Sequence, residues 1–166
     1  DLLTLADMRQ ALAMEDAKAF KGDLDRKNIS IAIEKRKPKK HHLQELRSIL
    51  SRHEGESGLI YCLGKKSVDN LADWLIAEGY NALPYHAGMD AFDRNINQDR
   101  FTNGEVDILV CTVAFGMGID KSDVRFVIHD DLSSSIESYV QETGRAGRDG
   151  KPASAYMFYG NQDIAM

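Results

Sequence analysis

Two arginines three residues apart, Arg145 and Arg148, sit in the run Gln141-Glu142-Thr143-Gly144-Arg145-Ala146-Gly147-Arg148-Asp149-Gly150. At that spacing two side chains can project to the same side of a helical turn. An arginine carries a planar fork of donors that matches phosphate oxygens, which the point charge of lysine does not. Gly144, Gly147 and Gly150 allow the backbone to turn tightly and approach a partner closely. The chemistry on offer is recognition of phosphate oxygens; the plain alternative is a pair of solvated arginines in a glycine-rich turn. A second run, Thr112-Val113-Ala114-Phe115-Gly116-Met117-Gly118-Ile119-Asp120-Lys121, follows an apolar stretch directly. Glycines in such a loop present backbone N–H groups to a phosphate or ribose, here flanked by a hydroxyl and a carboxylate. Two shorter runs, Ile60-Tyr61-Cys62 and Tyr85-His86-Ala87-Gly88, also close apolar stretches. On spacing alone His86 is equally a satisfied turn residue or a ligand-facing one.

These groups need a frame that brings strand ends together. Leu5, Met8, Leu12 and Met14 recur at helical spacing, which predicts a helix from Leu3 to about Phe20. Ile29, Ile31 and Ile33 alternate as in a short strand, and Leu43, Leu46 and Leu50 mark an amphipathic helix. From Gly58 onward, strands and helices alternate. Strands are expected at Leu59–Leu63, Ala82–Tyr85, Ile108–Val113, Phe126–His129 and Ala155–Tyr159. Helices are expected around Leu71, around Phe92 and Ile96, and around Ile136 and Tyr139. Such alternation implies right-handed crossovers and a mainly parallel sheet covered on both faces. In such a sheet function collects on loops beyond the carboxyl ends of the strands.

Taken together, the motifs resemble the second RecA-like motor domain of superfamily 2 helicases, and most closely the RecQ-type DNA helicases. Leu24-Asp25-Arg26-Lys27-Asn28-Ile29 is similar to the linker motif that enters this domain, and Leu59–Cys62 to motif IV. Tyr85–Gly88 is similar to the segment after motif IV, Thr112–Lys121 to motif V, and Gln141–Gly150 to motif VI. The resemblance implies an α/β fold, a three-layer RecA-like domain with a mainly parallel central sheet and helices on both faces. It implies residues 1–22 as the tail of a preceding motor domain with its linker, and residues 23–166 as the second RecA-like domain. By the same resemblance, Arg148 is the arginine finger toward the γ-phosphate of ATP, and Arg145 a second phosphate or inter-motif contact. Gln141 would couple nucleotide state to domain closure. Gly116, Gly118 and Asp120 would meet the nucleotide, Asp120 at its ribose. Thr112, His86, Gly64 and Lys65 would hold the DNA backbone. The implied partners are single-stranded or partly duplex DNA and an N-terminal RecA-like domain, which would bind most of the ATP and Mg²⁺.

No Gly-x-x-x-x-Gly-Lys-[Ser/Thr] loop and no Asp-Glu-x-His box occur; Gly64-Lys65-Lys66-Ser67 is the nearest miss. The chain thus reads as half of an ATPase site. A non-catalytic docking module of the same fold is the alternative from another class. The longest apolar run, Ile108–Phe115, falls far short of the ~20 residues that span a bilayer. Asp1-Leu2-Leu3-Thr4 lacks a signal-peptide n-region, and Cys62 and Cys111 read as buried, reduced thiols, so the expected setting is intracellular: cytoplasm, nucleoid or nucleus, with no membrane partner. Formal net charge is -5, but residues 1–83 hold 14 basic and 13 acidic side chains, whereas residues 84–166 hold seven and 13. The basic run Lys35–Lys40 is either a solvated connector or a phosphate patch, and Trp74 reads as core. His129-Asp130 could pair on a metal but is read as a strand-end turn, with Ser133–Ser135 offering an N-cap to the next helix. The purified chain is expected not to hydrolyse ATP alone; DNA-stimulated phosphate release by the chain itself would overturn that expectation.

Overall fold

A computed structural model describes residues 2–14, 16–18, 26–113, 115 and 121–160. Among them, six strands form one sheet in the order β1-β6-β5-β2-β4-β3, and every neighbouring pair is parallel. The strands are β1 (Ile29–Lys35), β2 (Ser57–Tyr61), β3 (Ala82–Tyr85), β4 (Ile108–Cys111), β5 (Val124–His129) and β6 (Ala153–Tyr159). The helices are α1 (Leu2–Ala11), α2 (Lys39–Leu50), α3 (Lys65–Ala77), α4 (Ala91–Thr102) and α5 (Ile136–Thr143). The expected α/β architecture is therefore borne out, with the sheet parallel throughout.

Parallel strands covered on both faces must be apolar on both faces. β4 meets this with four consecutive buried residues, Ile-Leu-Val-Cys, and β2 with Gly58 to Tyr61. On one face α2 and α3 pack Leu46, Ile49, Leu50, Val68, Leu71 and Leu75 over Ile60, Val110 and Ile128. Trp74 joins that face half-buried, with the Arg47 guanidinium 5.5 Å above its ring. On the other face Phe101 of α4 and Ala146, just beyond α5, cover Leu59, Leu109 and Val127. Cys62 and Cys111 are buried and unpaired, as expected, and burial pushes both thiols well above their ordinary value.

The first helix is shorter than its apolar spacing suggests. It ends at Ala11 because Ala13 adopts a left-handed φ of 50°, and the Met14 N–H folds back to the Arg9 carbonyl. Met8, Leu12 and Met14 remain exposed, so no packing rewards a longer helix. At the sheet's edge, Ile31 and Ile33 of β1 alternate as expected, yet both are more than half exposed. None of the described helices is long and apolar enough to cross a membrane.

One glycine is demanded by the core. A Cβ on Gly58 would fall within the ring of Phe126, which is buried on the neighbouring strand. Gly58→Ala should cost about 1–3 kcal/mol through forced repacking, read as a lower urea midpoint at unchanged slope. An unchanged midpoint would show that the ring moves aside freely.

Candidate nucleotide and nucleic-acid site

The exits of four neighbouring strands lie along the carboxyl edge of the sheet. The ladder continues past the strand ends: Thr112 N–H donates to Tyr85 C=O (3.2 Å), Cys62 N–H to Cys111 C=O (2.9 Å) and Asp130 N–H to Tyr61 C=O (2.8 Å). His86, Thr112 and the Gly64-Lys65 pair are thereby brought to one edge. Gly64 opens α3 with its carbonyl accepting the Ser67 and Val68 N–H groups. The positive end of the α3 dipole thus points along this edge, where it favours an anion. The Lys65 side chain crosses over Gly88, such that a Cβ there would stand 2.8 Å from Lys65 Cδ.

His86 is buried, and both ring nitrogens are engaged. Gly88 N–H donates to Nδ1 (3.1 Å), so Nε2 carries the proton and donates to Asp69 Oδ1 (2.8 Å). The imidazole therefore shapes the loop that seats Lys65. Thr112 is buried too, at 8% exposure, with its carbonyl accepting from Phe115 N–H (3.0 Å). Gly116, Gly118 and Asp120 lie outside the described residues.

The arginine turn is elsewhere. Gly147 N–H donates to Val124 C=O (2.8 Å) and Asp149 N–H to Ser122 C=O (3.2 Å), which places Gly144–Gly150 at the amino edge of β5. Five residue steps of about 3.3 Å separate that edge from the carboxyl one. Of the residues singled out by sequence, His86, Thr112, Gly64 and Lys65 thus lie beyond carboxyl ends of strands, and Arg145 and Arg148 do not. The reason is α5: it starts after β5's carboxyl end, runs back over the sheet and delivers the turn to the start of β6.

Nor do the two arginines share a helical face. Gly147 has φ +56°, so the backbone turns left-handed between them. Arg148 is exposed beyond that turn, whereas Arg145 is half-buried, with an Nε–H that meets no acceptor among the described residues. Burial pushes the Tyr61 phenol well above its ordinary value, the nearby Arg145 charge opposes that push, and the phenol O–H donates to Phe115 C=O (3.4 Å). An exposed guanidinium and a half-buried one thus flank Gly147 in different surroundings, and cationic donors of this kind are chemically suited to phosphate oxygens. Gln141 is exposed on α5, one residue before a buried carboxylate.

That carboxylate, Glu142, was not singled out by sequence. Its Oε2 accepts from Ser133 Oγ (2.8 Å) and lies 2.9 Å from His129 Nε2. His129 Nδ1 is buried without a partner, so a neutral ring protonated on Nε2 leaves no N–H unmet. Tyr61 stacks on this imidazole at 5.2 Å, linking it to the ring that Arg145 approaches. His129 and Asp130 diverge rather than forming a metal pair. Asp130 Oδ1 is 2.6 Å from His42 Nε2, and Asp131 takes Arg36 (2.8 Å) and the Leu63 N–H (3.0 Å). Among the described residues no three His, Cys, Asp or Glu side chains converge on one point. Ser135 caps α5 by accepting from Ser138 N–H (3.1 Å), as the serine run suggested.

A helicase conserved C-terminal domain model matches residues 39–150, two thirds of the sequence and both edges just described. The chain belongs to that family. It is 43% identical over 166 residues, 99% of its length, to the ATP-dependent DNA helicase RecQ of Haemophilus influenzae. It is 46% identical over 159 residues to the ATP-dependent DNA helicase hus2/rqh1 of Schizosaccharomyces pombe, and 41% over 159 residues to the RecQ-like DNA helicase BLM of Xenopus laevis. It spans 26% of the first relative and 12% of each of the other two. The RecQ-type resemblance of the motifs is borne out.

Behind Arg148, Arg125 on β5 donates to the carbonyls of Ser122, Asp123 and Pro152 and to Asp149 Oδ1 at 2.6 Å. The Arg125 hydrogen bond holds the Asp149 carboxyl below its ordinary value of 3.8, against an opposing desolvation, and the Lys151 N–H and charge add to the lowering. A depressed folded-state value means that this pair stabilises the fold above the ordinary value and loses that effect as pH falls through the lowered one. Arg125→Ala should raise the Asp149 midpoint toward the ordinary value in a carbon-13 NMR titration, with the Lys151 N–H still holding part of the lowering. The stability gap between variant and wild type should close as pH drops below the Asp149 midpoint. A gap that persists in acid would show that the carbonyl contacts, not the ion pair, carry the Arg125 contribution.

Proposed function

We propose that this chain is the C-terminal motor domain of an ATP-dependent, RecQ-like DNA helicase. In this reading it supplies an arginine finger and part of the grip on single-stranded DNA, and works only with a partner RecA-like domain. The observation that carries the reading is the division of labour between the two edges of one sheet. The carboxyl edge holds Lys65, the Thr112 loop and the positive end of α3, which suit a phosphodiester backbone. The amino edge presents an exposed and a half-buried arginine on one short turn, which suits the terminal phosphates of ATP held on the partner domain.

Each side chain has a part in that reading. Arg148 reaches the γ-phosphate, where charge grows during phosphoryl transfer. Arg145 braces the turn against Tyr61 and adds a second positive charge. Gln141 faces out from α5 on the side of the turn and couples nucleotide state to closure. His86, fixed by Asp69 and Gly88, seats Lys65 rather than spending its own nitrogens on DNA. ATP brings the reacting phosphates, and Mg²⁺ would be held by the partner domain.

In the full-length protein, Arg148→Ala should lower DNA-stimulated ATP turnover by about 10³-fold or more, while ATP binding stays within a few-fold. Turnover retained at the wild-type rate would remove the finger from Arg148 and favour a docking role for the domain.

A further inference from the structure

The arginine turn is held from outside the residues that the family model matches, by two side chains at the start of the domain. Arg26 Nη1 donates to Gly144 C=O (3.3 Å), and its Nη2 to Ala146 C=O (3.2 Å) and Gly147 C=O (2.6 Å). Asn28 Nδ2 donates to Gly147 C=O (2.9 Å) and Lys151 C=O (2.8 Å). The main chain adds one more tie, from Ala153 N–H to Asn28 C=O at 2.9 Å. Arg26 Nε also reaches Asn28 Oδ1 at 3.4 Å, so the two side chains brace each other.

We infer that Arg26 and Asn28 are positioning residues, which set the direction of Arg145 and Arg148 by clamping the carbonyls of the turn that bears them. The geometry is specific to these residue types. The carbonyls of Gly144, Ala146 and Gly147 converge past the last turn of α5, where the helix dipole leaves negative charge and unmet acceptors. One planar guanidinium serves all three, which a lysine ammonium on a flexible stem cannot do with the same directionality. Asn28 fills the remaining space so closely that a Cβ on Gly147 would stand 2.5 Å from its Nδ2 and 2.8 Å from Lys151 C=O. The left-handed Gly147 is thus required twice, by its φ of +56° and by the amide packed against it. Since Arg145 and Arg148 flank Gly147, any slack in this clamp changes the direction of both guanidinium groups. The sequence segment that enters the domain and the phosphate-directed turn are therefore one rigid unit.

The inference rests on the proposed role of the turn in phosphate recognition, and its test separates the two. In the full-length protein Arg26→Lys keeps the charge and removes the fork. It should lower kcat for DNA-stimulated ATP hydrolysis by about tenfold to a hundredfold, as small misplacements of reacting groups do. KM for ATP and Kd for a single-stranded oligonucleotide should stay within about twofold, the pattern of a lost transition-state contact. Hydrogen exchange in residues 144–150 should accelerate in the variant, with β2 and β4 unchanged. A kcat within about twofold of wild type, or unchanged exchange in residues 144–150, overturns the inference, as does a parallel loss of DNA binding and turnover. If Arg148→Ala itself turns over at the wild-type rate, the phosphate reading fails; exchange in residues 144–150 then decides the clamp alone, acceleration upholding it and no change overturning it. Should Arg26→Lys fold poorly, Asn28→Ala is read by the same two measurements.

Discussion

The central strands of an all-parallel sheet have to be buried on both faces, and much of this domain follows from that requirement. It makes β2 and β4 apolar along their length, and it puts α2 and α3 on one face and α4 and α5 on the other. It also tolerates very little at the centre: Gly58 has no side chain because Phe126 occupies the place where one would go. A rigid central slab follows from dense packing. Groups fastened to its two edges are held at a constant separation.

The edges are built from different chemistry. On the carboxyl side, continued ladder bonds align the strand exits, and His86 is spent on holding its own loop. On the amino side, the turn after α5 is irregular backbone whose Gly144 and Ala146 carbonyls are taken by Arg26, while the Gly147 carbonyl takes Arg26, Asn28 and the Gly150 N–H. Between them runs a buried polar path. Ser133 and His129 meet Glu142 near the end of α5, and Tyr61 lies between His129 and Arg145. Buried polar contacts of this kind are costly unless fully met, so their presence in a short helix ties α5 to one position on the sheet. α5 needs that tie because its apolar side chains do little: Ile136 and Val140 are mostly exposed.

The loop after β5 shows how charges at a strand end are absorbed. Asp130 and Asp131 place two carboxylates directly after β5. Arg36, His42 and the Leu63 N–H take them up, so the charges brace β1, α2 and the loop after β2 against one another. Part of the basic run at Lys35–Lys40 is thereby accounted for: Arg36 serves these carboxylates and Lys37 pairs with Glu45 at 2.8 Å.

By itself, the sequence determined the element order, the parallel α/β class, the reduced buried cysteines and the cap of α5. All of these follow from periodicity and near neighbours, such as the apolar run of β4 or Ser135 three residues before Ser138. It also marked Arg145, Arg148, Thr112, His86 and Lys65 as chemically placed. Which edge each one occupies was not legible, since that depends on α5 running back over the sheet. Nor could the spacing of Arg145 and Arg148 reveal that a left-handed Gly147 separates their environments. The partners of the turn, Arg26 and Asn28, lie about 120 residues away in sequence. The tail of α1 failed for the converse reason: its helical spacing is real, but Met8, Leu12 and Met14 stay exposed among the described residues. Local patterns record what a segment could do, whereas long-range contacts decide which of those options is rewarded with burial or a hydrogen bond.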